Sequence, residues 1–131
     1  MNLIFKMGEF EAQFPTDRMY AKNHMWAVQI GDTLRFGLAA YAVRLLQDVY
    51  FLDWELATGT PIRQGHHIGD IESSKAESSL HAPLSGILSD FNQALLKDPS
   101  AINVDKYDTG WLFEMQAAAT GLLSPADYLE H

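Results

Sequence analysis

The chain contains no cysteine among its 131 residues. That absence excludes disulfides, thiolate nucleophiles and cysteine-ligated zinc, so any redox sulfur must come from a cofactor. Positive charge is also scarce, since nine Lys and Arg stand against seventeen Asp and Glu, a net charge of −8. We therefore expect neither nucleic acid nor an anionic membrane surface as a partner.

Long apolar runs are missing as well. No stretch reaches the ~20 apolar residues of a membrane-spanning helix, and Leu3-Ile4-Phe5 lacks the basic and long apolar regions of a signal peptide. These features favour a cytoplasmic protein without membrane partners. The chain length suits one main domain, which we predict at residues 18–128, after an N-terminal extension at 1–17. Residues 129–131 resemble the remnant of a vector-derived tag.

The pattern of apolar residues and turn signals predicts mostly β structure. Two runs flank Gly31-Asp32 at the spacing of a tight hairpin. Turn residues recur at the short intervals typical of a β sandwich or barrel. The predicted strands are 26–30, 33–36, 49–54 (as a buried strand), one through Ile68 and Ile71, 87–91 and 111–115. The predicted helices are short and lie at 39–46, at 94–96 and after Ser124.

A polar segment of small residues links two apolar strands and carries one lysine, Lys75. Serine favours turns because its hydroxyl bonds the local backbone, so Lys75 is expected at the tip of a hairpin. One interpretation is a solvated loop that happens to hold a lysine. The other is a modification site, at which an amide bond removes the charge of the lysine. Glu72 and Glu77 flank the turn and would hold a modifying enzyme in register by charge complementarity.

The residues around this lysine resemble the lipoyl-lysine motif of the glycine cleavage system H protein family. The motif is Glu72-Ser73-Ser74-Lys75-Ala76, followed by Pro83-Leu84-Ser85-Gly86. Further landmarks of the family occur in the same order over roughly residues 18–128. They include Tyr20, His24, Trp26, Gly37, Tyr41, Gly65, Gly69, Asn92, Pro99, Asn103, Tyr107, Gly110, Trp111 and Tyr128.

The resemblance implies a barrel-sandwich hybrid, with two antiparallel sheets and short peripheral helices. It also implies lipoate attached covalently to Lys75 by a lipoate ligase or transferase that recognises Glu72, Ala76 and Glu77. A biotin carrier typically has its lysine between methionines, whereas Lys75 stands between Ser74 and Ala76. No glycine-rich phosphate loop or nucleophile elbow is present, so we expect a carrier and not a catalyst.

Three positions differ from the family in the cleft that is understood to shelter the loaded arm. Met25, Leu45 and Ser79 stand where the family typically has Glu, His and Asp. A charged aminomethyl group needs such polar partners when it leaves water. His24 either lines the same cleft, as the resemblance implies, or is an ordinary hydrogen-bonded histidine.

Three functional hypotheses remain open. The first is a divergent H-like lipoate-binding protein of bacterial sulfur oxidation, working with a heterodisulfide-reductase-like complex, because sulfur-bound intermediates need no ammonium-binding carboxylates. The second is a glycine cleavage H protein that carries the aminomethyl group between glycine cleavage enzymes. The third is an unmodified scaffold with the same fold.

The remaining histidines and tryptophans are assigned structural roles. His66 and His67 are adjacent, so on a strand they point to opposite faces and do not readily share one ion; we expect no metal site. His81 is expected to pack or to form hydrogen bonds. Trp26, Trp54 and Trp111 are expected in the core.

Overall fold

The computed structural model describes residues 2–7, 10–15, 18–21, 23–75, 77–107, 109–117 and 122–124, of which 2–15 and Tyr41 are described by their backbone alone. No helix within these ranges has both the length and the apolar character needed to cross a membrane. The elements, in chain order, are β1 (Asn2–Met7), β2 (Phe10–Pro15), β3 (Met19–Tyr20), β4 (Met25–Ile30), β5 (Thr33–Leu38), α1 (Ala40–Leu46), β6 (Val49–Trp54), β7 (Pro61–Ile62), β8 (His67–Ser73), β9 (Glu77–His81), β10 (Gly86–Phe91), α2 (Gln93–Lys97), α3 (Ala101–Val104) and β11 (Phe113–Gln116).

Two antiparallel sheets form the body of the fold. The larger has six strands in the order β3-β4-β5-β11-β10-β7, and the smaller has three in the order β6-β8-β9. The predicted fold class, mostly β with two antiparallel sheets and short helices, is confirmed. Within the predicted extension at 1–17, β1 and β2 form a separate two-stranded sheet. The domain boundary after residue 17 stays a prediction.

The predicted hairpin around Gly31 is confirmed, since β4 and β5 pair directly and Gly31 has a φ of 58°. The strand predicted at 49–54 has the right bounds, but its assignment as a buried strand is wrong. Among the described strands it pairs with β8 alone, at the edge of its sheet, and Tyr50 and Phe51 are 62% and 45% exposed. Its aromatic composition fits an edge as well as a core, because one face of an antiparallel sheet tolerates solvent.

Other predicted elements need smaller corrections. The last predicted strand begins at Phe113 and not at Trp111. Strands β1, β2, β3, β7 and β9 and helix α3 were not predicted. Elements of two to four residues carry little periodicity, and the small polar residues of β9 are typical of a turn segment and not of a strand. The helix expected after Ser124 lies outside the described residues.

The core fills the space between the two larger sheets. Ile71 from the smaller sheet and Phe36, Phe113 and Met115 from the larger are fully buried, and each contributes about 1.5–3 kcal/mol by leaving water. Gly69 allows β6 and β8 to approach, because a Cβ there would lie 2.5 Å from the carbonyl oxygen of Asp53. The three tryptophans predicted in the core differ in burial. Trp26 is fully buried, whereas Trp54 and Trp111 are partly buried and pack against the core clusters.

Helix α1 is fixed at its N-terminus by a tyrosine from a distant loop. The amide of Ala40 donates to the hydroxyl of Tyr107 at 2.9 Å. Burial raises the pKa of Tyr107 to about 12, so this hydroxyl stays neutral at physiological pH and can accept the bond. The contact supplies the helix with a cap that the residue before it, Ala39, cannot provide.

The loop between α1 and β6 is held by Asn103. Its side-chain oxygen accepts a hydrogen bond from the amide of Val49 at 2.8 Å, and its side-chain nitrogen donates to the carbonyl of Gln47. Gln47 has a φ of 60°, which non-glycine residues adopt at a cost. Asp48, between these two residues, accepts a hydrogen bond from the amide of Ser74 at 2.8 Å. Asn103 therefore supports the loop on which the lysine turn rests.

Replacing Asn103 with Ala should lower the free energy of unfolding by about 1–3 kcal/mol, because the polar groups of Val49 and Gln47 lose their partner. The matched control is Val104→Ala, at a neighbouring side chain that is 83% exposed; we expect a change within about 0.5 kcal/mol there. Urea denaturation followed by circular dichroism measures both. Equal effects of the two substitutions would contradict the role given to Asn103.

Candidate functional site

Lys75 lies in the turn between β8 and β9, and its side chain is exposed, as the sequence predicted. The turn is held close to the body of the protein. The amide of Asp48 donates to the hydroxyl of Ser74 at 3.2 Å, and the amide of Lys75 donates to the hydroxyl of Ser73 at 3.3 Å. The serines therefore fix the backbone of the turn and leave the amine of Lys75 accessible to another protein.

Glu72 and Glu77 are paired across the hairpin, directly before the turn. Side chains of paired residues lie on the same face of a sheet, so the two carboxylates flank the approach to Lys75 from one side. Ala76, the third residue predicted to contact the modifying enzyme, lies outside the described residues.

A groove of about 210 Å³ runs between the outer edge of β9, the start of β4 and helix α1. All three positions at which the sequence departs from the family pattern line it, namely Met25, Leu45 and Ser79. The structure thus brings together residues that are 54 positions apart in the chain. The remaining lining residues are Asn23, Leu38, Ala42, Leu46, Ile71, Ser78, Leu80 and His81.

The groove is largely apolar and carries no carboxylate among its described lining residues. Met25 forms part of its buried wall, at 2% exposure, whereas Leu45 is 54% exposed at its rim. His24, which the resemblance associated with this cleft, precedes Met25 but is not among the described residues that line the groove. Its backbone has a φ of 68° and its carbonyl accepts a hydrogen bond from Ala39, so it shapes the turn before β4.

The groove begins within reach of Lys75. Ser78 and Ser79 line it and follow Lys75 by three and four residues on the same hairpin. At the rise of a β-strand, Ser79 lies about 13 Å from the lysine along the chain. A long flexible arm attached to Lys75 is therefore able to fold back along β9 and rest in the groove.

One carboxylate lies beside the groove, on the neighbouring strand. Asp70 is the register partner of Ser79, whose hydroxyl donates to it at 3.3 Å. His67 lies 2.9 Å from the same carboxylate, and this hydrogen bond raises the pKa of His67 and lowers that of Asp70. Sequence reasoning missed this pair, because its three-residue spacing does not place both side chains on one face of a regular strand.

The chain is similar to known proteins over most of its length. The family described as "Glycine cleavage H-protein" matches residues 18–128. The glycine cleavage system H protein of Thermosynechococcus vestitus is 40% identical over 117 residues, covering 88% of this chain and 91% of that protein. The corresponding protein of Nitratidesulfovibrio vulgaris is 38% identical over 116 residues, covering 87% and 91%.

A solved structure agrees with these sequence matches. The crystal structure of a glycine cleavage system H protein from Mycobacterium marinum superimposes with a TM-score of 0.78 at 35% identity, covering 89% of this chain and 97% of that one. The fold and the sequence therefore point to the same relatives. The chain belongs to the glycine cleavage H-protein family, whose members carry lipoate covalently on a lysine and are not themselves catalysts.

Proposed function

We propose that this protein is a lipoyl carrier whose arm is attached to Lys75 and which carries the aminomethyl group in glycine cleavage. The observation that carries the proposal is the position of Lys75, exposed at the tip of a hairpin whose backbone is fixed. An amide between this amine and the carboxyl of lipoate removes the positive charge and leaves the dithiolane at the end of a flexible arm. The chain has no cysteine to compete in thiol exchange with that dithiolane.

The proposed partners follow from the same surface. A lipoate ligase or transferase approaches the hairpin with Glu72, Ala76 and Glu77 as recognition residues, and glycine cleavage enzymes load and unload the arm. The net charge of −8 suits partners with basic patches. We place the carrier and these enzymes in the cytoplasm.

Incubation with lipoate, ATP and a lipoate ligase should add the mass of one lipoyl amide to the chain, as measured by intact-mass spectrometry. Lys75→Arg should abolish the adduct, because a guanidinium is not acylated. The matched control is Lys97→Arg in α2, also an exposed lysine, which should be modified like the original chain. An adduct that persists in Lys75→Arg would show that lipoate is attached to another residue. Absence of an adduct on every variant and on the original chain would favour the third hypothesis, an unmodified scaffold.

The same assay tests recognition by the carboxylates. Glu72→Gln and Glu77→Gln should slow the modification, most strongly at low ionic strength, where charge complementarity acts furthest. Asp90→Asn changes an exposed acid on another strand and should leave the rate unchanged. Equal modification rates for all three variants would show that the modifying enzyme does not recognise Glu72 and Glu77.

The cargo is the finer part of the proposal. The relatives reported above are named glycine cleavage system H proteins, at 35–40% identity over most of the chain, and this supports an aminomethyl cargo. The polar residues among the described lining of the groove are Asn23, Ser78, Ser79 and His81. Asp70 adds a carboxylate next to Ser79, on the strand beside the groove.

One observation favours a second candidate. The described lining of the groove contains no Asp or Glu, with Met25, Leu45 and Ser79 at the positions where the family typically has ionisable residues. A neutral sulfur-bound intermediate needs no carboxylate partner, so the groove also suits a lipoate-binding protein of sulfur oxidation that works with a heterodisulfide-reductase-like complex.

Restoring polar partners at the rim should prolong the aminomethyl-loaded form. We expect Leu45→His with Ser79→Asp to extend its half-life by up to about fivefold, since an exposed ion pair contributes up to about 1 kcal/mol. The lipoylated chain is loaded with glycine and glycine decarboxylase and followed by intact-mass spectrometry. Matched controls are Leu96→His and Thr58→Asp, exposed positions outside the groove.

Two results would contradict the aminomethyl cargo. If the original chain never loads while the Mycobacterium marinum H protein does, the sulfur-bound cargo becomes the better account. If the chain loads but the rim and control variants have equal half-lives, the groove is not where the loaded arm rests.

A further inference from the structure

Two histidines face each other on the lysine-bearing sheet. His67 on β8 and His81 on β9 are register partners, and the centroids of their rings are 6.0 Å apart. Both side chains are exposed. Register partners on neighbouring strands point to the same face of a sheet. His67 and His81 can therefore approach one ion together, whereas the adjacent residues His66 and His67 would point to opposite faces.

An irregularity in β8 turns His67 toward Asp70. The register of β8 against β9 shifts between His67 and Gly69, which marks a β-bulge. Without it, residues three apart point to opposite faces of a strand, whereas here the Nε2 atom of His67 lies 2.9 Å from the Oδ1 atom of Asp70. Bulges re-aim side chains in this way and are frequent at functional sites.

A third potential ligand comes from the end of β6. The amide of Glu55 donates to the carbonyl of Ile68 at 2.9 Å, which fixes Glu55 beside the bulge. One ligand atom each from Glu55, His67 and Asp70 lie within 4.8 Å of one another. Three side chains from two strands therefore converge on a space the size of a metal coordination sphere.

We propose that Glu55, His67 and Asp70 bind a divalent transition-metal ion such as Zn²⁺, with His81 as an additional ligand from β9. Imidazole nitrogen and carboxylate oxygen are ordinary ligands of such ions, and a chain without cysteine offers no thiolate to draw the ion elsewhere. The ion takes the place of the hydrogen bond between His67 and Asp70. This differs from the sequence-based expectation, which considered only the adjacent pair at 66 and 67.

The electrostatic setting favours a cation at this position. Side chains of the smaller sheet form three cross-strand rows on its outward face. The row nearest the lysine is Phe51, Glu72 and Glu77, and the next is Asp53, Asp70 and Ser79. The third row is His67 and His81, with Glu55 beside them. These rows hold five carboxylates and no Lys or Arg. Their combined negative field raises the local concentration of cations, and a bound ion relieves the repulsion between Glu55 and Asp70.

The site lies at a distance from the lysine that we propose as the lipoyl attachment point. His67 and Lys75 are eight residues apart, or about 25 Å along a strand. An ion there ties the end of β6 to β8 and β9 at the far end of the hairpin. Loss of the metal site should leave lipoylation of Lys75 unchanged, so failure of the metal proposal is distinguishable from failure of the proposed attachment site.

Calorimetric titration of the full chain with Zn²⁺ should show one ion bound per chain. His67→Ala and Asp70→Asn should each weaken binding by about tenfold or more, the usual effect of removing a ligand or its close partner. The matched control is His66→Ala, an exposed histidine next to the site, which should bind as the original chain does. Titration with Co²⁺ gives a second readout, since a visible absorption band from nitrogen and oxygen ligands should appear and be lost in His67→Ala.

Circular dichroism should show that each variant is folded, because all substituted side chains are solvent-accessible. Absence of saturable Zn²⁺ binding would overturn the proposal. Binding that is unchanged in His67→Ala, or that is lost equally in His66→Ala, would also overturn it, because the ion would then have other ligands.

Discussion

The turn that carries Lys75 depends on hydrogen bonds that begin at Asn103, in a different part of the chain. Asn103 holds the loop from Gln47 to Val49, and Asp48 in that loop bonds the backbone and hydroxyl of Ser74. A hairpin alone is only marginally stable in water, so the turn at its tip needs such support. The result is a fixed backbone that presents the exposed side chain of Lys75.

The sequence predicted the parts of the fold that have strong local signals. Alternating and β-branched runs located β4, β5, β8 and β10, and the Gly31 turn gave their first pairing. The mistaken assignment of β6 as buried shows the limit, since an aromatic run does not reveal whether a strand has one neighbour or two. Which residues pack together across the two sheets is a tertiary property that periodicity alone does not encode.

The candidate site was predictable to different degrees. Lys75 stood out because small polar residues surround it, and the resemblance to a family supplied the expectation that it is modified. Met25, Leu45 and Ser79 were singled out only by comparison with that family, and the structure adds that they line one groove. The His67 and Asp70 pair was missed, because a β-bulge that changes the facing of a side chain leaves no clear mark in the sequence.

Our central proposal joins the groove to the lysine turn: an arm attached to Lys75 rests in the groove, along β9 and against α1. The most direct test compares methyl and amide NMR spectra of the chain before and after lipoylation and loading with the aminomethyl group. The account predicts shifts at Met25, Leu45 and Ser79, which line the groove. Shifts confined to the turn itself, with none in the groove, would contradict it and describe an arm that stays in solvent.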